Sequence, residues 1–148
     1  MTVKINSYDV KHKQALKELL TPLEKSYPNF QLWLERKLAT EGVTIHLAMD
    51  KDVLVGAVIG ASQNMNTYKI STLYVKPEYQ HQTLGTQFME LMLEQAKRAG
   101  SREVFITSDS SLRPTLGEFL YKHGFVPLIA ERNKYIPGKT EIMYYKYM

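Results

Sequence analysis

A strand-like run ending in proline is followed, in the middle of the chain, by a polar loop and a long amphipathic helix. The run is YVKP, the loop is EYQHQTLGT, and the helix is LGTQFMELMLEQAKRAG. The first N–H groups of a helix have no intrahelical acceptor and carry the positive end of the helix dipole, so they attract anions. Gly85 would let a phosphate approach this backbone closely, and the Thr86 hydroxyl could add a donor. The pattern predicts a phosphate site, although a turn glycine before a helix is often purely structural.

The register of this loop resembles the central motif of the GNAT family of N-acetyltransferases. That motif is V-x-P-x-x-Q/R-x-x-G-x-G/A at a strand-to-helix junction, and the residues that match it are Val75, Pro77, Gln80 and Gly85. Thr83 replaces the first motif glycine and brings a β-branched side chain to the phosphate. By resemblance, the loop binds the pyrophosphate of acetyl-CoA as cosubstrate. The expected cofactor contacts are Leu73, Val75, Gln80, His81, Gln82, Thr83, Leu84, Gly85 and Thr86.

A second stretch, EFLYKHGFVPL, resembles the later motif of the same family, a helix that ends in an aromatic-rich stretch and Gly-Phe. The matching residues are Phe119, Gly124 and Phe125. The usual acid of the family is a tyrosine four residues before this pair, where the chain has Leu120. Tyr121 follows about 100° farther round the helix, so it is a candidate acid only if the helix end is distorted. A packing or surface role is its alternative.

A catalytic base is harder to assign, because the strand YKISTLYV holds no Asp or Glu. Ser71 and Thr72 stand where the family often has acids, and either could order a water. Asp109 follows the strand VFITS at the carboxyl end, where ligands of α/β sheets gather, so it is a candidate base or acceptor contact. Capping the next helical region is its structural alternative. His46 and Glu141 are weaker candidates for proton transfer.

The reaction that the resemblance implies is transfer of an acetyl group to a primary amine. The chain has no cysteine, so no cysteinyl acyl-enzyme can form and direct attack within a ternary complex is expected. The family splays its parallel strands at a bulge, which implies that a backbone N–H of Leu73 or Val75 polarises the thioester carbonyl. A small-molecule or peptide amine would enter between the second helix and the final hairpin. The aromatic candidates there are Tyr27, Trp33, Tyr135, Tyr144 and Tyr145.

Hydrophobic periodicity predicts the elements that must position these groups. Their order is strand, helix, helix, strand, strand, strand, helix, strand, helix, strand, strand. Asp9 is expected to cap a first helix that continues to about Glu24, and Pro114 to begin a last helix that continues to Lys122. Pro137 and Gly138 fit the centre of a type II turn in a closing hairpin.

These elements predict an α/β (α+β) fold in one domain over residues 1–148. TLYV, the crossover helix and VFIT form a βαβ unit, whose two strands must be parallel, while the hairpin adds antiparallel strands. We therefore expect a mixed, mostly antiparallel sheet of about seven strands, with a parallel βαβ core and helices on both faces.

Composition limits the alternatives. The net charge is +4, but basic residues are scattered among acids and no nucleic-acid motif is present, so a nucleic-acid partner is not expected. No apolar run approaches the ~20 residues needed to span a bilayer, and the N-terminus lacks a secretory pattern, so the expected location is cytoplasmic. No metal is expected. A diverged CoA-binding or protein-interaction module is the alternative function, and a second copy of the chain is a candidate partner.

Overall fold

The computed structural model describes residues 3–80, 83–109 and 116–148, apart from the side chain of Asp109. The strands in this part of the chain are β1 (Val3–Ser7), β2 (Val43–Asp50), β3 (Val53–Ser62), β4 (Thr67–Val75), β5 (Glu103–Asp109), β6 (Val126–Arg132) and β7 (Thr140–Tyr147). The α-helices are α1 (Lys13–Leu19), α2 (Phe30–Leu38), α3 (Leu84–Arg98) and α4 (Glu118–Lys122).

The strands form one sheet in the order β1-β2-β3-β4-β5-β7-β6. β4 and β5 are parallel, and every other described neighbour pair is antiparallel. The parallel pair is joined through α3, as a βαβ crossover requires. The final hairpin places β7, not β6, beside β5. The predicted fold class is confirmed.

Helices cover both faces of the sheet and create two apolar cores. α1 and α2 pack on one face through a cluster whose buried members include Leu16, Leu20 and Leu34. α3 and α4 pack on the other face through a cluster that includes Phe88, Met92 and Leu120. β3 lies between the two cores, and its residues from Leu54 to Gly60 are all buried, which explains its continuous apolar run.

The first helix is shorter than the sequence predicted. Asp9 does act as a cap, because its Oδ1 accepts a hydrogen bond of 3.0 Å from the Lys11 N–H, but it caps a 3₁₀ turn. α1 then ends at Leu19, and a second 3₁₀ turn covers Thr21–Lys25. Pro22 explains this correction, since proline cannot donate the i→i−4 bond and its ring clashes with the carbonyl four residues back.

The C-terminal elements agree with the remaining sequence predictions as far as they are described. Gly138 has φ = 82°, and the Lys139 N–H donates to the Ile136 carbonyl over 3.2 Å, as a type II turn requires. The last helix ends at Lys122 as predicted, but its predicted start at Pro114 lies outside the described residues. No helix of the described chain is long and apolar enough to cross a membrane.

Candidate active site

β4 and β5 separate halfway along their length. They pair only between Thr67–Ile70 and Glu103–Ile106, and the parallel ladder is not continued by the later residues of either strand. β4 stays paired with β3 up to Val75, and β5 stays paired with β7 up to Asp109. A gap therefore opens between the carboxyl halves of two neighbouring strands at the centre of the sheet.

A β-bulge accounts for this separation. The ladder between β3 and β4 passes from Gly60 opposite Ile70 to Ile59 opposite Thr72, so Ser71 is an extra residue on β4. The Ser71 hydroxyl donates to the Ile59 carbonyl over 3.3 Å and holds the bulge. Because a bulge bends its strand and increases the local twist, the part of β4 beyond Ser71 turns away from β5.

The strand beyond the bulge directs two backbone N–H groups into the gap. The Lys76 N–H donates to the Val55 carbonyl over 2.9 Å, so Lys76 faces β3. N–H directions alternate along an antiparallel strand, so the N–H groups of Leu73 and Val75 point away from β3. The partner on that side would have been β5, which has already diverged. Both N–H groups are therefore available to a ligand in the gap.

The loop that follows is anchored by two side chains. Gln80 Nε2 donates to the Val75 carbonyl over 3.0 Å, and the Tyr79 hydroxyl donates to Asp50 Oδ2 over 2.5 Å. The motif glutamine thus holds the end of β4 and leaves the N–H of Val75 unobstructed. His81 and Gln82 lie outside the described residues.

Thr83 has φ = 61° and ψ = 11°, in the left-handed region. A glycine adopts this conformation without cost, whereas a β-branched residue does so only under strain. The backbone at the first motif glycine is therefore one that favours glycine, although the side chain there is threonine. Thr83 is exposed, and its Oγ1 accepts a hydrogen bond of 3.3 Å from Gln87 Nε2.

The first turn of α3 presents a set of N–H groups. The Gln87 N–H donates to the Thr83 carbonyl over 3.0 Å and is the first intrahelical donor, so Leu84, Gly85 and Thr86 have N–H groups with no helical acceptor. The Leu84 side chain is buried in the core, so only its backbone can meet a ligand. A Cβ on Gly85 would lie 3.3 Å from the Phe119 ring. Gly85 therefore also permits close packing of α3 on α4.

His123 lies beside this turn and was not singled out from the sequence. Its Nε2 is 3.5 Å from Thr86 Oγ1, and its ring centroid is 4.7 Å from that of Phe119. Burial lowers the pKa of His123, an effect that Lys146 reinforces and Glu90 opposes. A neutral imidazole is therefore favoured next to the expected phosphate position. Its only signal in the sequence was its position immediately before the Gly-Phe pair.

A cavity of about 160 Å³ adjoins the other side of the gap, on the face covered by α1 and α2. Three of the five aromatic residues expected around an acceptor lie on its wall, namely Tyr27, Trp33 and Tyr135. Tyr144 is instead buried in the core under α3 and α4, and Tyr145 packs against Tyr147. The other lining residues are Leu23, Pro28, Phe30, Lys69, Ser71, Thr72 and Thr107.

The bulge also decides which polar groups of β4 reach the cavity. Ser71 and Thr72 are adjacent in sequence and would point to opposite faces of a regular strand, yet both line the cavity. Thr72 is 4 % exposed, and its Oγ1 has no hydrogen-bond partner among the described residues. A buried hydroxyl without a protein partner is rare, and it can bind a water or a substrate group here.

Lys69 contributes a positive charge to the cavity and was missed from the sequence. Its side chain is half-buried, and burial is the main cause that lowers the pKa of its ammonium group. The positive charges of Lys134 and Lys37 lower this pKa further, and the negative charge of Glu141 opposes them. Strand alternation from Ser71 could have indicated that Lys69 faces the same side.

The remaining predicted residues have different surroundings. Tyr121 is 72 % exposed and lines an open depression that Pro127 and Tyr144 also border, whereas Leu120 is fully buried. The Asp109 backbone lies opposite Glu141 at the end of β5, and its side chain is outside the described structure. His46 is half-buried on β2, and burial lowers its pKa.

Comparison with known proteins identifies relatives of this architecture. The sequence model of the acetyltransferase (GNAT) family matches residues 13–125. Among solved structures, the chain is similar to Ard1 from Thermoplasma volcanium, with 17% identity, TM-score 0.83, and coverage of 100% of this chain and 99% of that one. No curated protein matches the chain significantly.

Two further similar structures contain a bound coenzyme. PaiA N-acetyltransferase from Thermoplasma acidophilum, in complex with coenzyme A, is 18% identical with TM-score 0.76, and 100% of each chain is covered. A GNAT family acetyltransferase from Elizabethkingia anophelis, with acetyl-CoA bound, is 15% identical with TM-score 0.72, covering 99% of this chain and 98% of that one. At these identities the likeness establishes the fold.

Proposed function

The chain belongs to the acetyltransferase (GNAT) family, and from that premise we propose that it transfers the acetyl group of acetyl-CoA to a primary amine. The acyltransferase class follows from the family, whose model matches residues 13–125. The observation that carries the proposal is the gap between β4 and β5, because the first turn of α3, whose N–H groups have no helical acceptor, lies on one side and a cavity of about 160 Å³ on the other.

The pyrophosphate of acetyl-CoA would bind the first turn of α3. The N–H groups of Leu84, Gly85 and Thr86 supply donors at the positive end of the helix dipole. The preceding Gln80 keeps the loop against the end of β4 through its bond to the Val75 carbonyl. In two similar proteins a coenzyme A species is bound on the same fold.

The thioester would lie in the gap, where the N–H of Leu73 or Val75 can donate to its carbonyl oxygen. The amine nitrogen attacks the carbonyl carbon, the C–S bond breaks, and the electron pair leaves on the CoA sulfur. Pre-oriented donors of this kind contribute ~2.7–4 kcal/mol to such reactions. Water held by the Thr72 hydroxyl would take the proton that the amine releases. This role for water is proposed because β4 has no carboxylate that could act as the base.

The test begins with binding. Acetyl-CoA at 100 times its dissociation constant should stabilise the protein by about 2.7 kcal/mol, seen as an increase in Tm. Thiol release with a panel of amines then separates transfer from binding. A shift without turnover would support the alternative, a CoA-binding or protein-interaction module, for which the buried Leu120 in place of the family's acid is the specific observation. No shift would contradict both acetyl transfer and CoA binding.

Variants test the site residues. Gly85→Leu should abolish the acetyl-CoA shift, since its side chain would meet the Phe119 ring and the phosphate path. Glu94→Leu, an equally bulky change on the exposed side of α3, should keep the shift. Tyr121→Phe and Asp109→Asn test the two predicted proton-transfer residues, and full turnover would remove either from the mechanism.

A second copy of the chain is the partner we propose for β6. β6 is an edge strand on which every residue is exposed, and Val126, Leu128 and Ile129 are 42–54 % exposed. An exposed apolar edge strand offers unpaired backbone groups to another strand. Sedimentation analysis should give a dimer that Leu128→Lys dissociates, and a monomeric wild type would contradict this proposal.

A further inference from the structure

One lysine lines the cavity beside the gap, and two more lie near aromatic rings of its wall. Lys69 lines it directly. The Lys37 Nζ lies 5.8 Å from the centroid of the Trp33 ring, and the Lys134 Nζ lies 5.4 Å from that of Tyr135. Both rings are part of the cavity wall, so each ammonium group lies within cation–π distance of a residue that lines the cavity.

These charges come from distant parts of the chain and converge only in the fold. α2 contributes Lys37, β4 contributes Lys69, and the hairpin between β6 and β7 contributes Lys134. Lys37 and Lys134 are close enough to Lys69 to act on it, because both lower the pKa of its ammonium group. Like charges gathered at a cleft are costly unless a counter-ion joins them.

Glu141 on β7 supplies negative charge near Lys69. Among the described residues, Glu141 is the carboxylate that stabilises the Lys69 ammonium. Its Oε1 already accepts the Tyr27 hydroxyl over 2.9 Å. Among the described groups, two ammonium groups and one carboxylate thus act on Lys69, which is itself positive.

We propose that the acceptor is a small primary amine with an apolar or aromatic body and a carboxylate beside the amine. This rests on the proposed function and specifies its substrate class. The carboxylate would form an ion pair with Lys69, close to the other two lysines. The body of the molecule would pack on Tyr27, Trp33 and Tyr135. A cavity of about 160 Å³ is below the ~300–1,000 Å³ of drug-sized sites, which favours a compact molecule.

The same charges favour the reactive form of the acceptor. Only the neutral amine attacks a thioester, and neighbouring cations disfavour the ammonium form. A carboxylate on the acceptor offsets the repulsion that the ammonium form meets on entry. Polycationic amines have no such compensation, so they are expected to be poor acceptors.

The experiment compares phenylalanine with phenethylamine, which differ only in the carboxylate. With acetyl-CoA saturating, kcat/KM should be at least tenfold higher for phenylalanine. Lys69→Met keeps the length of the side chain and removes its charge. This variant should lower kcat/KM for phenylalanine about tenfold, as loss of a charge-assisted hydrogen bond predicts. Its kcat/KM for phenethylamine should be unchanged or higher. Lys97→Met, at the exposed end of α3 far from the gap, is the matched control.

The outcomes separate this inference from the function on which it rests. A higher kcat/KM for phenethylamine, or an equal loss for both amines in Lys69→Met, would overturn the substrate class while transfer itself stands. If neither amine is acetylated, the Tm of the CoA-saturated protein is measured with each. Stabilisation by phenylalanine that Lys69→Met abolishes supports the acceptor site without transfer. If phenylalanine does not stabilise the CoA-saturated protein, the proposed acceptor site is overturned.

Discussion

The hydroxyl of Tyr27 donates a hydrogen bond of 2.9 Å to Glu141 Oε1, although 114 residues separate the two in sequence. Tyr27 lies between α1 and α2, and Glu141 lies on β7. The bond joins the N-terminal helices to the last strand across the cavity wall, where Tyr27 also meets Tyr135 with ring centroids 5.1 Å apart. Glu141 is buried, so this donor compensates part of its desolvation.

Breaking this bond should reduce the stability of the fold. Tyr27→Phe is expected to lower the free energy of unfolding by about 1.5–3 kcal/mol, the range for a hydrogen bond to a charged group. A double-mutant cycle with Glu141→Gln, measured by urea denaturation, should give a coupling energy of about 1 kcal/mol. Tyr147→Phe, on an exposed tyrosine, should change stability by less than ~0.5 kcal/mol. Additive effects in the cycle would contradict the coupling.

Thr83→Gly should stabilise the protein. Thr83 has φ = 61°, a conformation that costs an L-residue roughly 1–2 kcal/mol relative to glycine. Glycine also adds chain entropy to the unfolded state, which offsets part of this. We therefore expect the free energy of unfolding, measured by chemical denaturation, to rise by about 1 kcal/mol. Thr21→Gly, at an exposed threonine without positive φ, should lose roughly 0.5–1 kcal/mol from chain entropy, and more from loss of the bond that its hydroxyl donates to the Lys17 carbonyl. A loss in both variants would mean that the strain at Thr83 is compensated by its bond to Gln87.

Proline substitution can identify the carbonyl donor on β4. Leu73→Pro and Val75→Pro each remove an N–H that faces the gap and none that bonds to β3. The variant that removes the donor should lose roughly 10²–10³ in kcat, while the Tm shift with acetyl-CoA persists. Leu73→Ala controls for the lost side chain and keeps the N–H. Unchanged kcat in both proline variants would exclude both N–H groups as donors.

Acid should destabilise the fold through His46. Burial lowers its folded pKa below the ordinary value of 6.5, so the unfolded state binds the proton more readily. Stability should therefore rise with pH through the window between the lowered pKa and 6.5, and be lost as pH falls through it. Urea midpoints should show this slope in the wild type and a weaker one in His46→Gln. An unchanged slope would assign the effect to other groups.

Elements whose residues are close in sequence could be predicted well. The bounds of β2 and β3 follow from apolar runs ended by turn residues, and the end of β4 follows from Pro77. The first helix was overestimated, because its apolar stripe continues through Pro22 while its hydrogen bonds cannot. The two glycine-containing motifs indicated the family, since the start of α3 and the end of α4 each have a local sequence signature.

Features that depend on distant residues appear only in the tertiary structure. The sequence alone determined the order of elements, the strand-to-helix junction at the start of α3 and the absence of cysteine, because each depends on local backbone chemistry or composition. The bulge at Ser71, the pairing of Tyr27 with Glu141, and the convergence of Lys37, Lys69 and Lys134 were decided by the fold. Strand register and the packing of separate elements bring these groups together, and no local pattern encodes a contact over such separations.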